Sequence, residues 1–294
     1  MALLDFYSGG PAATDSIDLS VLSQFAHRSF ASNFFRWFDD ADNEVVLFGT
    51  GITFTRTGST LPDVTGGRVT GLGLEQDGSV VWLFSGLDLD AAALFQRLVA
   101  GDQDAVRAML LSGDDRIGGT SGNDTLRGGR GNDALFGQDG DDRLSGSIGN
   151  DTVAGGAGDD ALSGGAGDDV LQGQAGSDRM LGGEGADRFV FSQITLGPEV
   201  DHVLDFAPGE DLLVLNRADL PGLGASGTLE AARFHDGAAA ETNQQRILWD
   251  GARGELWYDS DGARSAAAVL IARLSPGLDL TAADFEVYYS ALPG

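Results

Sequence analysis

Between Leu110 and Val190 the chain repeats one nine-residue unit nine times without a gap. A tandem repeat this strict constrains the fold more than composition does, because each unit must copy one local structure and its core is completed only by its neighbours. Every unit carries Gly at its fourth position: Gly113, Gly122, Gly131, Gly140, Gly149, Gly158, Gly167, Gly176 and Gly185. Asp follows two residues later, at Asp115, Asp124, Asp133, Asp142, Asp151, Asp160, Asp169, Asp178 and Asp187. A bulky apolar residue stands two further on, at Ile117, Leu126, Leu135, Leu144, Val153, Leu162, Leu171, Met180 and Phe189.

The unit divides into a glycine-rich six-residue turn and a three-residue strand, which points its middle side chain inward between two outward ones. Two units make one 18-residue coil. The expected fold class is therefore mainly β: a parallel β-roll, or two-sheet solenoid, over 112–190. Glycine suits the turns because the chain reverses through backbone conformations that a β-carbon penalises. Asp115, Asp133, Asp151, Asp169 and Asp187 form one column, and Asp124, Asp142, Asp160 and Asp178 the other. With coils stacked at the ~4.8 Å inter-strand spacing, like charges in a column repel unless a cation lies between them. A hard divalent ion taking about six to eight oxygen ligands fits two carboxylates plus turn carbonyls. Calcium fits better than magnesium, which demands stricter octahedral geometry and gives up water reluctantly. A disordered Gly/Asp linker has no reason to keep an apolar residue at every eighth position. The sequons at Asn123 and Asn150 are by-products of the repeat.

These nonapeptides resemble the repeats-in-toxin (RTX), or haemolysin-type, calcium-binding β-roll of type I secreted bacterial proteins. The resemblance implies ions between turns on the same side, held by position-six side chains of repeats n and n+2 and by backbone oxygens of glycines near positions two and four. Carried onto this chain, the bridges on one side are Asp115/Asp133, Asp133/Asp151, Asp151/Asp169 and Asp169/Asp187. On the other side they are Asp124/Asp142, Asp142/Asp160 and Asp160/Asp178, with Gly122, Gly131, Gly140, Gly149, Gly158, Gly167 and Gly176 supplying backbone oxygens. The ceiling is roughly seven calcium ions. The first unit departs from the pattern, beginning Leu110-Leu111-Ser112, and position two is Thr120, Gln138, Ser147 and Gln174 in four later units.

The chain of 294 residues has room for two or three compact units. Its net charge is −27, and every cationic side chain is Arg. An acid excess this large argues against nucleic acid or an anionic membrane as partner. Fifteen acidic side chains against six arginines lie between Asp114 and Arg188. Without metal this segment is expected to repel itself and stay unfolded, which makes binding energy and folding energy one quantity. Cysteine is absent, compatible with an exported protein stapled by metal. The start, Met1 to Tyr7, has neither a basic nor a long apolar region, so no Sec-type signal is expected, and no stretch reaches transmembrane length. The resemblance implies passage through the type I secretion machinery of a Gram-negative bacterium, with an uncleaved C-terminal signal. It places the protein outside the cell or on its surface, with an extracellular target that the sequence does not name.

Residues 1–111 read as a β-rich module with short helices. Strands are expected at Val45–Phe48, Gly51–Thr55, Arg68–Thr70 and Ser79–Phe84, with a turn at Thr65-Gly66-Gly67, then helices at Leu89–Val99 and Gln103–Leu111. The aromatic stretch from Phe25 to Phe38 reads as a helix that brings Phe30, Phe34 and Trp37 to one face, packed on the strands or anchoring a membrane or a partner. Residues 191–294 read as a β-rich cap carrying the secretion signal. Strands are expected around Asp201–Phe206, Gly209–Leu215, Ile247–Asp250, Glu255–Asp259 and Ala267–Leu274, with a hairpin turn at Ser260-Asp261-Gly262. Asp259-x-Asp261-Gly262 echoes the start of an EF-hand loop, but the remaining ligands do not follow.

Catalytic motifs are missing. The three histidines, His27, His202 and His235, form no H-E-x-x-H zinc site, and there is neither a G-x-S-x-G elbow nor a cysteine nucleophile. Gly222-x-Gly224-x-x-Gly227 lacks the strand before it and the helix after it that a dinucleotide site requires. The function expected is calcium binding coupled to folding outside the cell, without catalysis. Two other classes stay open: a carboxylate-based polysaccharide enzyme in residues 40–111, and a surface or biofilm adhesin.

Overall fold

The nonapeptides wind into a two-sheet roll in which each 18-residue coil gives one strand to each sheet. The structure, a computed structural model, describes residues 3–6, 27–31, 34–38, 44–55, 63–76, 79–90, 111–192 and 199–289; for the strands before residue 91 it describes the backbone. One sheet of the roll takes β7 (Arg116–Gly118), β9 (Ala134–Asp139), β11 (Thr152–Ala157), β13 (Val170–Ala175) and β15 (Arg188–Phe191). The other takes β8 (Thr125–Arg130), β10 (Arg143–Ile148), β12 (Ala161–Ala166) and β14 (Arg179–Glu184). All neighbouring strands of the roll pair in parallel, with eighth-position residues in register: Leu126 on Leu144 on Leu162 on Met180, and Ile117 on Leu135 on Val153 on Leu171 on Phe189. These nine side chains are all buried and form the core, each contributing about 1.5–3 kcal/mol by leaving water.

The strands are longer than the expected three residues. From β8 to β14 each spans six, running from position seven through position three of the next unit. The turn is correspondingly only positions four to six. Position one pairs with nothing in the ladder, as where Gly146 lies between the Ser145/Ser163 and Ser147/Gly165 pairs. The register then resumes, so low-propensity glycines still build sheet because both neighbouring coils present the same backbone.

The roll does not stop where the repeat stops. In the first sheet β15 is followed in parallel by β17 (Leu212–Asn216) and then β23 (Phe285–Tyr288), which place Leu213 and Phe285 in line with Phe189. In the second, β14 is followed in parallel by β16 (Asp201–Val203) and β22 (Val269–Arg273). Antiparallel strands then close both sheets: β18 (Gly227–Thr228) lies on β23, while β21 (Glu255–Tyr258) lies on β22 and pairs with β20 (Ile247–Asp250). A last strand, β19 (Phe234–Asp236), pairs with β20. The expected C-terminal strands are present, and Ser260-Asp261-Gly262 lies in the link between the antiparallel strands β21 and β22.

At the other end, β1 (Leu3–Phe6) pairs in parallel with β7, setting Leu4 opposite Ile117. An antiparallel meander extends from it in the order β6 (Ser79–Asp90), β5 (Asp63–Gln76), β4 (Glu44–Thr55), β3 (Phe34–Phe38) and β2 (His27–Ala31). Three expectations are corrected here. Phe30, Phe34 and Trp37 belong to a hairpin, not a helix: Phe30 pairs with Phe35 and Ala31 with Phe34, as suits aromatic residues, which favour strands. Thr65-Gly66-Gly67 lies inside β5, where irregular register absorbs the glycines instead of a turn. Leu89 and Asp90 end β6 instead of starting a helix. The rest of that helix, and the one at Gln103–Leu111 up to residue 110, lie outside the described residues, as do the side chains of residues 40–90 on which an enzyme or adhesin reading would rest.

Position two is left-handed throughout most of the roll, and three units place a side chain there: Gln138 at φ 82°, Ser147 at φ 91° and Gln174 at φ 79°. Such backbone costs a non-glycine residue about 1–3 kcal/mol. Ser147→Gly is expected to raise stability by about 1 kcal/mol after the greater unfolded-state freedom of glycine is deducted. Urea unfolding at saturating calcium measures it, and a loss of stability would contradict strain at this position.

Candidate metal centre

Two ladders of aspartates run along the roll, one above the turns of each sheet. In each, the backbone N–H of one position-six Asp donates to Oδ1 of the Asp one coil later. The first column links Asp115 to Asp133, Asp133 to Asp151, Asp151 to Asp169 and Asp169 to Asp187 at 2.7–2.9 Å. The second links Asp124 to Asp142, Asp142 to Asp160 and Asp160 to Asp178 at 2.7–2.8 Å. All nine aspartates are buried.

The second carboxylate oxygen is the unusual one. Oδ2 of Asp133, Asp142, Asp151, Asp160, Asp169 and Asp178 is buried and accepts no hydrogen bond. A buried oxygen carrying charge without a donor is costly, and a cation is one remedy. Oδ2 packs against the glycine five residues earlier, at position one. A β-carbon on Gly137, Gly155 or Gly164 would overlap Oδ2 of Asp142, Asp160 or Asp169 respectively. Position-one glycine therefore clears room for the carboxylate, a role distinct from the φ of 107–136° that the described roll turns need at Gly131, Gly140, Gly149, Gly158, Gly167 and Gly176. At these fourth positions a β-carbon would also meet the turn backbone one coil earlier, as Gly149 would overlap the Gly131 carbonyl oxygen.

Gly122 is the exception among the seven glycines named from the motif. It has no left-handed φ, and its turn satisfies its own aspartate. The Thr120 N–H donates to Asp124 Oδ2 at 2.5 Å, and the Thr120 hydroxyl lies 3.2 Å from Oδ2 and 3.3 Å from Oδ1. Position two, occupied here by Thr, was the visible sign of this.

Sequence reasoning missed two further features. Position five builds an exposed ladder of opposite sense: the N–H of Asn132, Asn150, Asp168 and Ala186 donates back to the side chain of Asp114, Asn132, Asn150 and Asp168 in turn. The Asn/Asp preference at that position was its signal. The columns also continue beyond the repeat. Asp178 N donates to Asp201 Oδ1 at 3.1 Å and Asp187 N to Asp211 Oδ1 at 2.9 Å, although longer spacing breaks the period there.

Burial, aided in most by charge from neighbouring carboxylates, pushes these acids up. Asp133, Asp160 and Asp169 rise to about 7, and Asp142, Asp178 and Asp187 to about 6. Among the described residues no three His, Cys, Asp or Glu side chains converge as a metal cluster. A cation at these turns must therefore complete its shell with backbone oxygens, as the stacked turns allow.

Residues 111–144, 118–153 and 154–189 match the family model of the RTX calcium-binding nonapeptide repeat. The segment is an RTX array. RTX nonapeptide repeats are calcium-binding repeats, which implies calcium binding by this segment. Among solved structures the chain is similar to the solution structure of a subunit of the Azotobacter vinelandii mannuronan C5-epimerase. That match has 24% identity and a TM-score of 0.24, over 59% of this chain and 78% of the other. A comparison with curated proteins gives no match. No helix among the described residues is long and apolar enough to cross a membrane.

The raised acids set the pH response of the metal-free RTX array. Folded chains keep protons that unfolded chains, with aspartate near 4, have released. Stability is therefore highest in acid and falls as pH climbs from about 4 to about 7. In chelator, circular dichroism is expected to show more β structure at pH 4 than at pH 8; a flat or opposite profile would contradict the burial of these carboxylates.

Proposed function

We propose that the protein is a secreted calcium-binding protein whose RTX array folds when it meets calcium outside the cell, and that it acts by binding rather than catalysis. The observation that carries this reading is the buried, donor-less Oδ2 repeated down both ladders. A chain that must bury these charges is unstable without cation and stable with it, so folding follows the calcium supply. Extracellular modules work at about 10⁻⁴ to 10⁻³ M calcium, a range in which the chain stays loose inside a cell and sets after export. The same looseness suits passage through a type I secretion channel, and a C-terminal signal fits that route. Absence of the zinc-protease, serine-hydrolase and thiol motifs supports a non-catalytic role.

The ligands we assign are the position-six carboxylates with glycine-rich turn oxygens, including Gly131, Gly140, Gly149, Gly158, Gly167 and Gly176. Bound calcium neutralises paired carboxylates and locks adjacent coils together. Thr120 already satisfies Asp124, so the Asp124/Asp142 bridge is closed to metal, and Gly122 drops out with it. Six of the seven bridges then remain within the repeat. We also retain the division into an N-terminal module over 1–111, the roll over 112–190 and a cap over 191–294, since the roll segment holds the whole nonapeptide array but the first two residues of its irregular opening unit, Leu110 and Leu111.

A circular dichroism titration tests the reading: calcium is expected to convert an open chain into a β-rich one, with magnesium far less effective. Equal folding in chelator, or in magnesium, contradicts it. Asp151 takes part in two proposed bridges and Asp187 in one. Asp151→Ala is therefore expected to raise the calcium midpoint more than Asp187→Ala; equal shifts would argue against shared ligands.

A further inference from the structure

The two columns leave the repeat differently. In the first, Asp211 accepts the Asp187 amide on Oδ1 and the Ala207 amide on Oδ2, at 2.9 and 2.8 Å. Both oxygens are satisfied by protein. The next acid along that sheet, Asp284, is also satisfied, by Gly209 N on Oδ1 and by Thr281 N and Oγ1 on Oδ2. The second column ends on Asp201, which accepts the Asp178 amide on Oδ1 and whose carboxyl lies within hydrogen-bonding reach of the Asp178 carboxyl. Asp201 is 9% exposed and Asp178 is fully buried, with its Oδ2 lacking any donor. Neither carboxylate has an ion-pair partner among the described residues, and Glu199, exposed two residues before Asp201, adds negative charge. Two buried carboxylates side by side, with an orphan oxygen and no cationic side chain, make a site for a hard divalent cation.

We propose that Asp178 and Asp201 hold a calcium ion between the last repeat strand of the second sheet and the first strand of the cap. One ligand comes from the array and the other from sequence outside it, so the site exists only when β16 is docked on β14. Among the described residues no third acidic or His side chain converges there, so backbone oxygens and water complete the shell. The ion ties docking of the C-terminal strands to the calcium supply, and the Asp187/Asp211 junction needs none because amides already fill Asp211.

This rests on the calcium reading above, and the two can fail separately. Calcium bound per full-length chain is measured by equilibrium dialysis with metal analysis. Asp201→Asn is expected to bind one ion fewer than wild type and to need more calcium to fold, while Asp211→Asn keeps the wild-type count. A wild-type count of zero overturns the calcium reading itself. A normal wild-type count with no loss in Asp201→Asn overturns the junction site alone. Should Asp201→Asn fail to fold, the wild-type chain decides: terbium-soaked crystals are expected to give an anomalous peak between Asp178 and Asp201. Peaks at the repeat bridges with none there overturn the proposal.

Discussion

Burying a carboxylate once per half-coil is the constraint on which the rest of the roll depends. The position-six aspartate is glue, because its Oδ1 takes an amide of the coil before it and so sets the register of the stack. It is also a liability, because Oδ2 is shut away from water without a donor. The hydrophobic stripe cannot offset that alone: one apolar side chain per unit contributes about 1.5–3 kcal/mol, comparable to the cost of an unsatisfied buried polar group. Stability therefore hangs on what neutralises the second oxygen, a proton in acid or a metal ion at neutral pH. A fold balanced this way is conditional by construction.

The glycines follow from the same constraint, and they divide by task. At position one the side chain is absent so that Asp Oδ2 can approach the backbone; at position four it is absent because the turn is left-handed and stacks directly on the turn beneath. Position two shares the left-handed backbone but tolerates Gln138, Ser147 and Gln174 at a cost in strain. Thr120 shows the other way out. There the turn takes a different conformation and supplies its own donors, giving up the open carboxylate at the start of the second column.

Period, core and ladder were legible from three repeated positions, because a solenoid writes its contacts into the spacing. Ile117 to Phe189 are buried as the eighth position demanded, and Asp115 to Asp187 align as the sixth demanded. The six-residue strands were not legible, since glycines at positions one to three carry little β signal of their own and become sheet only between matching neighbours. Asp201 and Asp211 were hidden by spacings of 23 and 24 residues where the array keeps 18. The aromatic stretch misled because Phe30, Phe34 and Trp37 satisfy a helical period as well as a hairpin, and strand pairing decided between them.

The sense of the hydrogen bonds explains why the roll needs its cap. In each column an aspartate accepts from the coil before it and donates to the coil after it, so stacking a new coil satisfies its carboxylate and leaves its own amide waiting. Repeats cannot end this by themselves; an array cut after Val190 would leave two amides, on Asp178 and Asp187, at an open end with no aspartate to receive them. Asp201 and Asp211 are those receivers, supplied by strands that keep the stacking of the roll but not its sequence. The antiparallel strands β18 and β21 then change the edge so that no further coil can add. The cap is thus the last rung of each ladder, and folding of the array is complete only when it is in place.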